Sequence, residues 1–253
     1  MMPSVSLVAV LLWVGSLDAP LSHSRFLVTA PANELYLQEP EQGVVEQEDV
    51  VVHEEGIEEK SVLYDVPFTS QSPTGEWEDI RQQNACEEAS VLMAMAWVQG
   101  EQLPDTEKVK ERLLEIDAYE NEQYGAHLDT SASDVIDYIF NGYYAYENVS
   151  LKKVESVDNI ITSLQEGLVI IPADGRALYN PHFTDGGPER HMLVVIGYDN
   201  DTNEFITNDP GTKFGKDFRY TSDVLFNAIR DYETGYHVPI VEQRKVMIVV
   251  GNW

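Results

Sequence analysis

The spacing of apolar residues changes once along this chain, and that change limits the fold more than any other feature. Up to about residue 165 the spacing is helical. Ala89, Leu92, Met93 and Ala96 share one face of an expected helix over 86–98, which Gly100 stops. Further helices are expected over 106–116, after Pro104-Asp105, and over 131–140, opened by the capping pair Ser131 and Asp134. Another is expected over 157–165, ended by Gly167. Before them, SVLYDVPF starts like a strand and ends at Pro67. From Leu168 onward the apolar residues run together instead. Runs at 168–172, 192–198, 204–207 and 245–250 are short enough for buried strands, with a helix over 221–229 between the last two. The turn-rich DNDTN joins the second run to the third. Helices first and strands later point to an α+β fold, not a doubly wound sheet.

Hydrophobic residues make up 43% of the 253 and aromatics 10%, so whole-chain disorder is excluded. The organisation expected is one domain of about 190 residues with an N-terminal extension. Residues 5–14, VSLVAVLLWV, are too few to span a bilayer, which needs about 20. Their length suits the apolar core of a signal peptide, so residues 1–31 are taken as a candidate signal peptide and extension. No base precedes Arg25, and SLDAPLSHS is an imperfect cleavage region. The expectation is nevertheless an extracytoplasmic or secreted protein. Residues 32–60 hold ten acids and one base, Lys60, with no sustained apolar period. They are expected to be a disordered acidic linker and spacer. The globular part is then 61–253. It is itself acidic, with 33 acids and 14 bases, within a chain whose net charge is −28. Such a surface repels phosphate, which argues against nucleic acid and anionic membranes as partners.

Cys86 is the only cysteine, so no internal disulfide and no thiolate-rich zinc site can form. It falls at the start of its expected helix, where unpaired N–H groups favour thiolate over thiol. A buried structural cysteine is the alternative. His191 opens the apolar run HMLVVIGYD, and Asp209 ends the next in ITNDPG. A hairpin about DNDTN sets these two ends side by side. A carboxylate can then hold one imidazole nitrogen while the other faces a thiol. Gln71, in DVPFTSQSPTG, is a candidate amide donor to an oxyanion, together with the Cys86 N–H. Gln82 and Gln83 are rivals for that role.

VPFTSQ, CEEASVLMAMAW, HMLVVIGYD and NDPG together resemble the cysteine peptidase family 39-like domain. That family is papain-like and related to the double-glycine leader peptidases of bacteriocin exporters. The resemblance covers about Val62 to Val250. It implies a papain-like fold, with a helix carrying the cysteine packed on an antiparallel sheet carrying the histidine. It also implies Gln71 as the oxyanion glutamine, Cys86 as nucleophile, His191 as base and Asp209 as its orienting partner. The chain departs from the family where Glu87 and Glu88 follow the cysteine in place of the frequent glycine. Two acids there oppose a thiolate, although acids suit a first helical turn. They are expected to point along the groove and select basic substrate residues. No Walker-type GxxxxGK[ST] occurs, so no nucleotide partner is expected, and the reading is a free-standing family member.

No cofactor and no metal is expected. Asp199, Asp201 and Asn203 alternate like calcium ligands, but the glycine and distal glutamate of an EF-hand loop are missing, which leaves a plain turn. A His182–His191 metal pair is weighed and set aside, with one cysteine and no HExxH. Tyr138, Phe140, Tyr143, Tyr144 and Tyr146 are assigned to packing. The sequence therefore reads as a thiol hydrolase cleaving peptide bonds, with a peptide or protein as partner and a tether at the cell envelope left open. The rivals are amidase, transglutaminase or acyltransferase chemistry on the same residues, and a catalytically silent binding module.

Overall fold

A computed structural model describes residues 61–125 and 128–252. The candidate signal peptide and the acidic linker lie outside the described residues. Among the described residues no helix is long and apolar enough to cross a membrane.

The core is an antiparallel sheet. Its strands are β1 (Val62–Leu63), β2 (Val149–Lys153), β3 (Leu168–Ala173), β4 (His191–Asp199), β5 (Glu204–Asn208), β6 (Phe218–Thr221) and β7 (Val246–Val250). The order is β2-β7-β3-β4-β5-β6, with β1 added to β4. The helices are α1 (Ile80–Gln83), α2 (Cys86–Gln99), α3 (Thr106–Tyr124), α4 (Ala132–Asp134), α5 (Val157–Leu164) and α6 (Ser222–Ala228). α4 runs on into a π-helical segment, Val135–Tyr143. Helices packed on an antiparallel sheet make this an α+β fold, as the change in apolar spacing predicts.

Strand β4 explains why its sequence is a continuous apolar run. Both faces of the sheet are covered. Met192, Val194 and Ile196 pack with Val91, Met93 and Met95 of α2, while Leu193 and Val195 pack with Ile160 and Leu164 of α5 and Leu225 of α6. The period is still two, but each face meets a helix, so no polar position alternates. A fully buried aliphatic side chain of this kind contributes about 1.5–3 kcal/mol relative to exposure. α2 is buried from Cys86 to Ala96, because the sheet covers one side and α3 the other, through Ala89, Leu92, Val109 and Leu113. It ends as expected at Gly100, whose φ of 66° is a left-handed cap that glycine adopts without strain.

The structure corrects two helix ends and adds three elements. α3 continues to Tyr124 instead of stopping near Ile116, because its buried stripe of Val109, Leu113 and Ile116 ends in Asp117 and Glu120. Carboxyls at core positions hid the period. The helix expected over 131–140 reaches Tyr143 through π-type bonding, with Tyr144 N–H reaching Ile139 C=O. β2, β6 and α1 were not expected. β2 and β6 are edge strands with mixed polarity, and α1 is a single turn capped by Asp79. The tyrosines of the π-segment pack between helices: Tyr138 stacks on Tyr124 at 3.7 Å, and Tyr143 meets Tyr119 edge-on at 5.4 Å.

Candidate active site

β4 and β5 form the hairpin about the DNDTN turn. Asp199 accepts from the Asp201 N–H inside that turn, and Asn203 sits at φ 56°. At the far end of the hairpin, His191 opens β4 and Asp209 follows β5. His191 Nε2 lies 2.8 Å from Asp209 Oδ1, with neither side chain reaching solvent to any extent. Asp209 is held on every side. Oδ1 also accepts from Gly211 N–H at 2.9 Å, and Oδ2 accepts from Tyr220 O–H at 2.5 Å and Asn180 Nδ2 at 3.4 Å. Asn180 in turn donates to Tyr220 at 2.7 Å. Burial alone raises a carboxyl pKa, but His191 and the other donors outweigh it, and Asp209 is held below its usual value. Gly211 must be glycine here, since a Cβ would come within 2.9 Å of His191 Cε1 and 3.2 Å of Asp209 Oδ1. Phe183 closes over the imidazole edge-to-face at 5.4 Å.

With Nε2 turned to Asp209, Nδ1 of His191 is the nitrogen left for chemistry. It is buried and makes no hydrogen bond. Cys86 and His191 line one cavity of about 610 Å³, together with Gln71, Gln83, Asp129 and Arg190. No hydrogen bond joins them. The Cys86 thiol donates instead to Glu87 Oε2 at 3.0 Å. Glu87 Oε1 accepts from Thr130 N–H at 3.1 Å and from Tyr232 O–H at 2.7 Å.

Two expectations are corrected at this point. Glu87 and Glu88 do not line the groove. They are 2% and 1% exposed and turn inward. Nor does the helix start lower the thiol pKa. Burial pushes it well up, the charge and hydrogen bond of Glu87 and the charge of Glu88 add to this, and only the Met192 N–H opposes. Desolvation and two adjacent acids outweigh the first-turn N–H groups.

Gln71 is buried and lines the same cavity. Its Nε2 donates to Gln82 C=O at 3.1 Å and Gln83 C=O at 2.7 Å, and its N–H to Pro210 C=O at 2.9 Å. The Gln71 loop is thereby tied to α1 and to the turn after Asp209. Of the rivals, Gln83 lines the cavity, with Nε2 donating to Trp77 C=O at 2.5 Å. Gln82 is buried and accepts from Ser72 Oγ at 3.1 Å. A second cavity of about 630 Å³ shares Gln71, Gln83 and Pro188 and is walled by Trp77, Phe183 and Phe214. His182 belongs to this second cavity and packs on Phe214 at 4.7 Å. Among the described residues, no group of three or more His, Cys, Asp or Glu side chains is placed to hold a metal.

The sequence reading missed Tyr220, Asn180 and Phe183. Tyr220 lies on an unexpected edge strand, and the other two in the irregular segment YNPHF. Neither stretch, FRYT nor YNPHF, carries an apolar period that would have marked them.

The profile of the Peptidase_C39 like family matches residues 63–238. No curated protein matches the chain in sequence. A crystal structure of a proposed C39-like peptidase from Bacillus anthracis is similar at 17% identity, with a TM-score of 0.45, covering 75% of this chain and 96% of that one.

Proposed function

The chain belongs to the Peptidase_C39 like family, and from that premise we propose that it is a thiol peptidase that cleaves peptide bonds by acyl transfer. The observation that carries this reading is the buried His191–Asp209 pair at 2.8 Å, whose other ring nitrogen is unbonded and shares a cavity with the chain's only cysteine. In this mechanism His191 Nδ1 takes the Cys86 proton. The thiolate attacks the substrate carbonyl, and the oxyanion is held by the Cys86 N–H and the Gln71 amide. Cys86 is the first residue of α2, so its N–H has no acceptor within the helix. Gln71 reaches the oxyanion by giving up one of its two carbonyl acceptors. The imidazolium then protonates the leaving amine. Water, deprotonated by His191, releases the acid from the thioester.

A second reading is a silent binding module that keeps the fold. It draws on the thiol facing Glu87 and on the raised thiol pKa. A peptide-library digest with the full chain and its Cys86→Ala variant separates the two. Cleavage by the native chain alone, with a thioester trapped at Cys86, is the expected outcome. Equal, background-level digestion by both chains sinks the peptidase reading. Added amines test transfer: an amide product in place of the acid marks an acyltransferase.

A further inference from the structure

The cavity around Cys86 holds two groups that each lack the partner their chemistry calls for. With the Nε2 proton assigned to the bond with Asp209, His191 Nδ1 carries a lone pair, and it is buried and without a hydrogen bond. Buried acceptors of that kind are seldom left alone. The Cys86 thiol is the donor that fits it, and it is spent on Glu87 Oε2 at 3.0 Å. Glu87 does not depend on that bond, since the Thr130 N–H and the Tyr232 O–H both reach its Oε1. The thiol sits on one rotatable bond, Cα–Cβ, and staggered rotamers of a cysteine exchange readily.

We infer that Glu87 is a positioning residue that holds Cys86 in a resting rotamer, and that the thiol turns from Glu87 to His191 Nδ1 before it reacts. This rests on the peptidase reading above. On turning, the S–H···O bond to Glu87 is lost and an S–H···N bond to His191 forms. The proton then passes from Sγ to Nδ1, while the Nε2 proton stays on the hydrogen bond to Asp209. No other reactant is needed. Glu87 keeps its two remaining donors, so neither rotamer strands it. Besides Glu87, the charged or titratable groups nearest the thiol are Glu88 on its own helix, Asp129 in the loop before α4, Tyr232 after α6, and His191 on β4; Arg190, Glu189, Arg176, Asp185, Tyr236 and His237 line the rest of the cavity.

The test is the rate of iodoacetamide alkylation of Cys86 in the full chain from pH 5 to 9, for the native chain and for Glu87→Gln, Glu87→Asp and His191→Ala. Glu87→Gln keeps the size of the side chain and an acceptor for Thr130. Glu87→Asp keeps the charge but is too short to reach the thiol. Both are expected to raise the rate at pH 6 at least fivefold, and adding His191→Ala is expected to abolish the rise. If only charge mattered, Glu87→Asp would leave the rate unchanged, and the rotamer device would be overturned. If neither Glu87 variant raises the rate while His191→Ala still slows it, the device fails and the peptidase reading stands. If His191→Ala changes nothing in any background, the thiol–imidazole pair itself is absent, and both fall. Circular dichroism of each variant confirms that a lost rate is not a lost fold.

Discussion

Asp209 and Glu120 are both carboxyls with no solvent exposure, and their surroundings drive them to opposite states. Asp209 meets His191, Tyr220, Asn180 and the Gly211 N–H, and stays below its usual pKa. Glu120 has one long hydrogen bond, from Thr130 Oγ1 at 3.5 Å, and its Oε2 has no partner. Burial first, then the charges of Glu87 and Asp117, push it up to about 9. Glu88 beside it is raised well above normal by burial, Glu120 and Glu87. Donors, not depth, decide the charge of a buried acid. Helix α2 therefore lies between a saturated, charged anchor and a cluster of poorly solvated acids.

The largest effect should come from breaking the anchor. Asp209→Ala leaves the Tyr220 O–H, the Gly211 N–H and His191 Nε2 without their acceptor in a sealed place. The expected loss is about 3–5 kcal/mol in urea unfolding of the full chain, together with loss of peptide hydrolysis. A loss under about 1 kcal/mol would mean that water or a neighbour replaces the carboxylate, and the contrast with Glu120 would collapse.

The acidic cluster predicts a pH slope of definite sign. Glu120 is protonated in the fold up to about pH 9 and ionised in the unfolded chain above its ordinary value near 4.5. Folding then takes up a proton across that window, so its stability contribution is full below pH 4.5 and declines as pH rises toward 9. Glu120→Gln removes the titrating group and keeps the shape. It should flatten the fall in Tm between pH 5 and 9 and stabilise the chain at pH 8.5 by about 1–3 kcal/mol. For a domain of this size that is ~2–4 °C per kcal/mol. A native Tm that climbs from pH 5 to 9, or a variant with the same slope, contradicts the assignment.

The same contrast explains what could be read from the residues alone. The sheet was legible because β3, β4 and β7 are buried on both faces and so appear as uninterrupted apolar runs. The His191–Asp209 pairing was legible because a hairpin with a polar five-residue turn leaves little freedom in where its ends fall. The acids were misread. Glu87, Glu88, Asp117 and Glu120 look like surface residues by type, and only tertiary packing turns them inward. That misreading cut α3 short, placed Glu87 in the groove and hid the partner that the thiol has. The edge strands β2 and β6 carry mixed polarity, so no period marked them, and Tyr220 was lost with β6.

The smallest effect, and the sharpest form of the comparison, comes from making one change on each side. Tyr220 and Tyr232 are both buried, and each gives its O–H to a carboxyl, Tyr220 to Asp209 at 2.5 Å and Tyr232 to Glu87 at 2.7 Å. Removing either hydroxyl as Tyr→Phe keeps the ring packing, so its hydrogen bonds are nearly all that changes: for Tyr232 the one to Glu87, for Tyr220 the one to Asp209 and the one accepted from Asn180. A bond to a charged acceptor contributes about 1.5–3 kcal/mol and one between neutral groups about 0.5–1.5 kcal/mol. Asp209 is held below its usual pKa, so Tyr220→Phe should fall in the higher range. Burial raises the Glu87 pKa, opposed by its bonds to Cys86 and Tyr232, so Glu87 takes up a proton at a higher pH than an ordinary glutamate, and Asp209 at a lower one than an ordinary aspartate. The cost of Tyr232→Phe should therefore shrink as the pH falls from 7 to 5, while that of Tyr220→Phe should hold. Tyr232→Phe should also leave the alkylation rate of Cys86 within about twofold, because Thr130 still holds the carboxyl in place. Paired urea titrations at pH 7 and pH 5 decide the matter. If Tyr232→Phe costs as much as Tyr220→Phe at both pH values, Glu87 is as fully charged as Asp209, and the two sides of α2 are electrostatically alike.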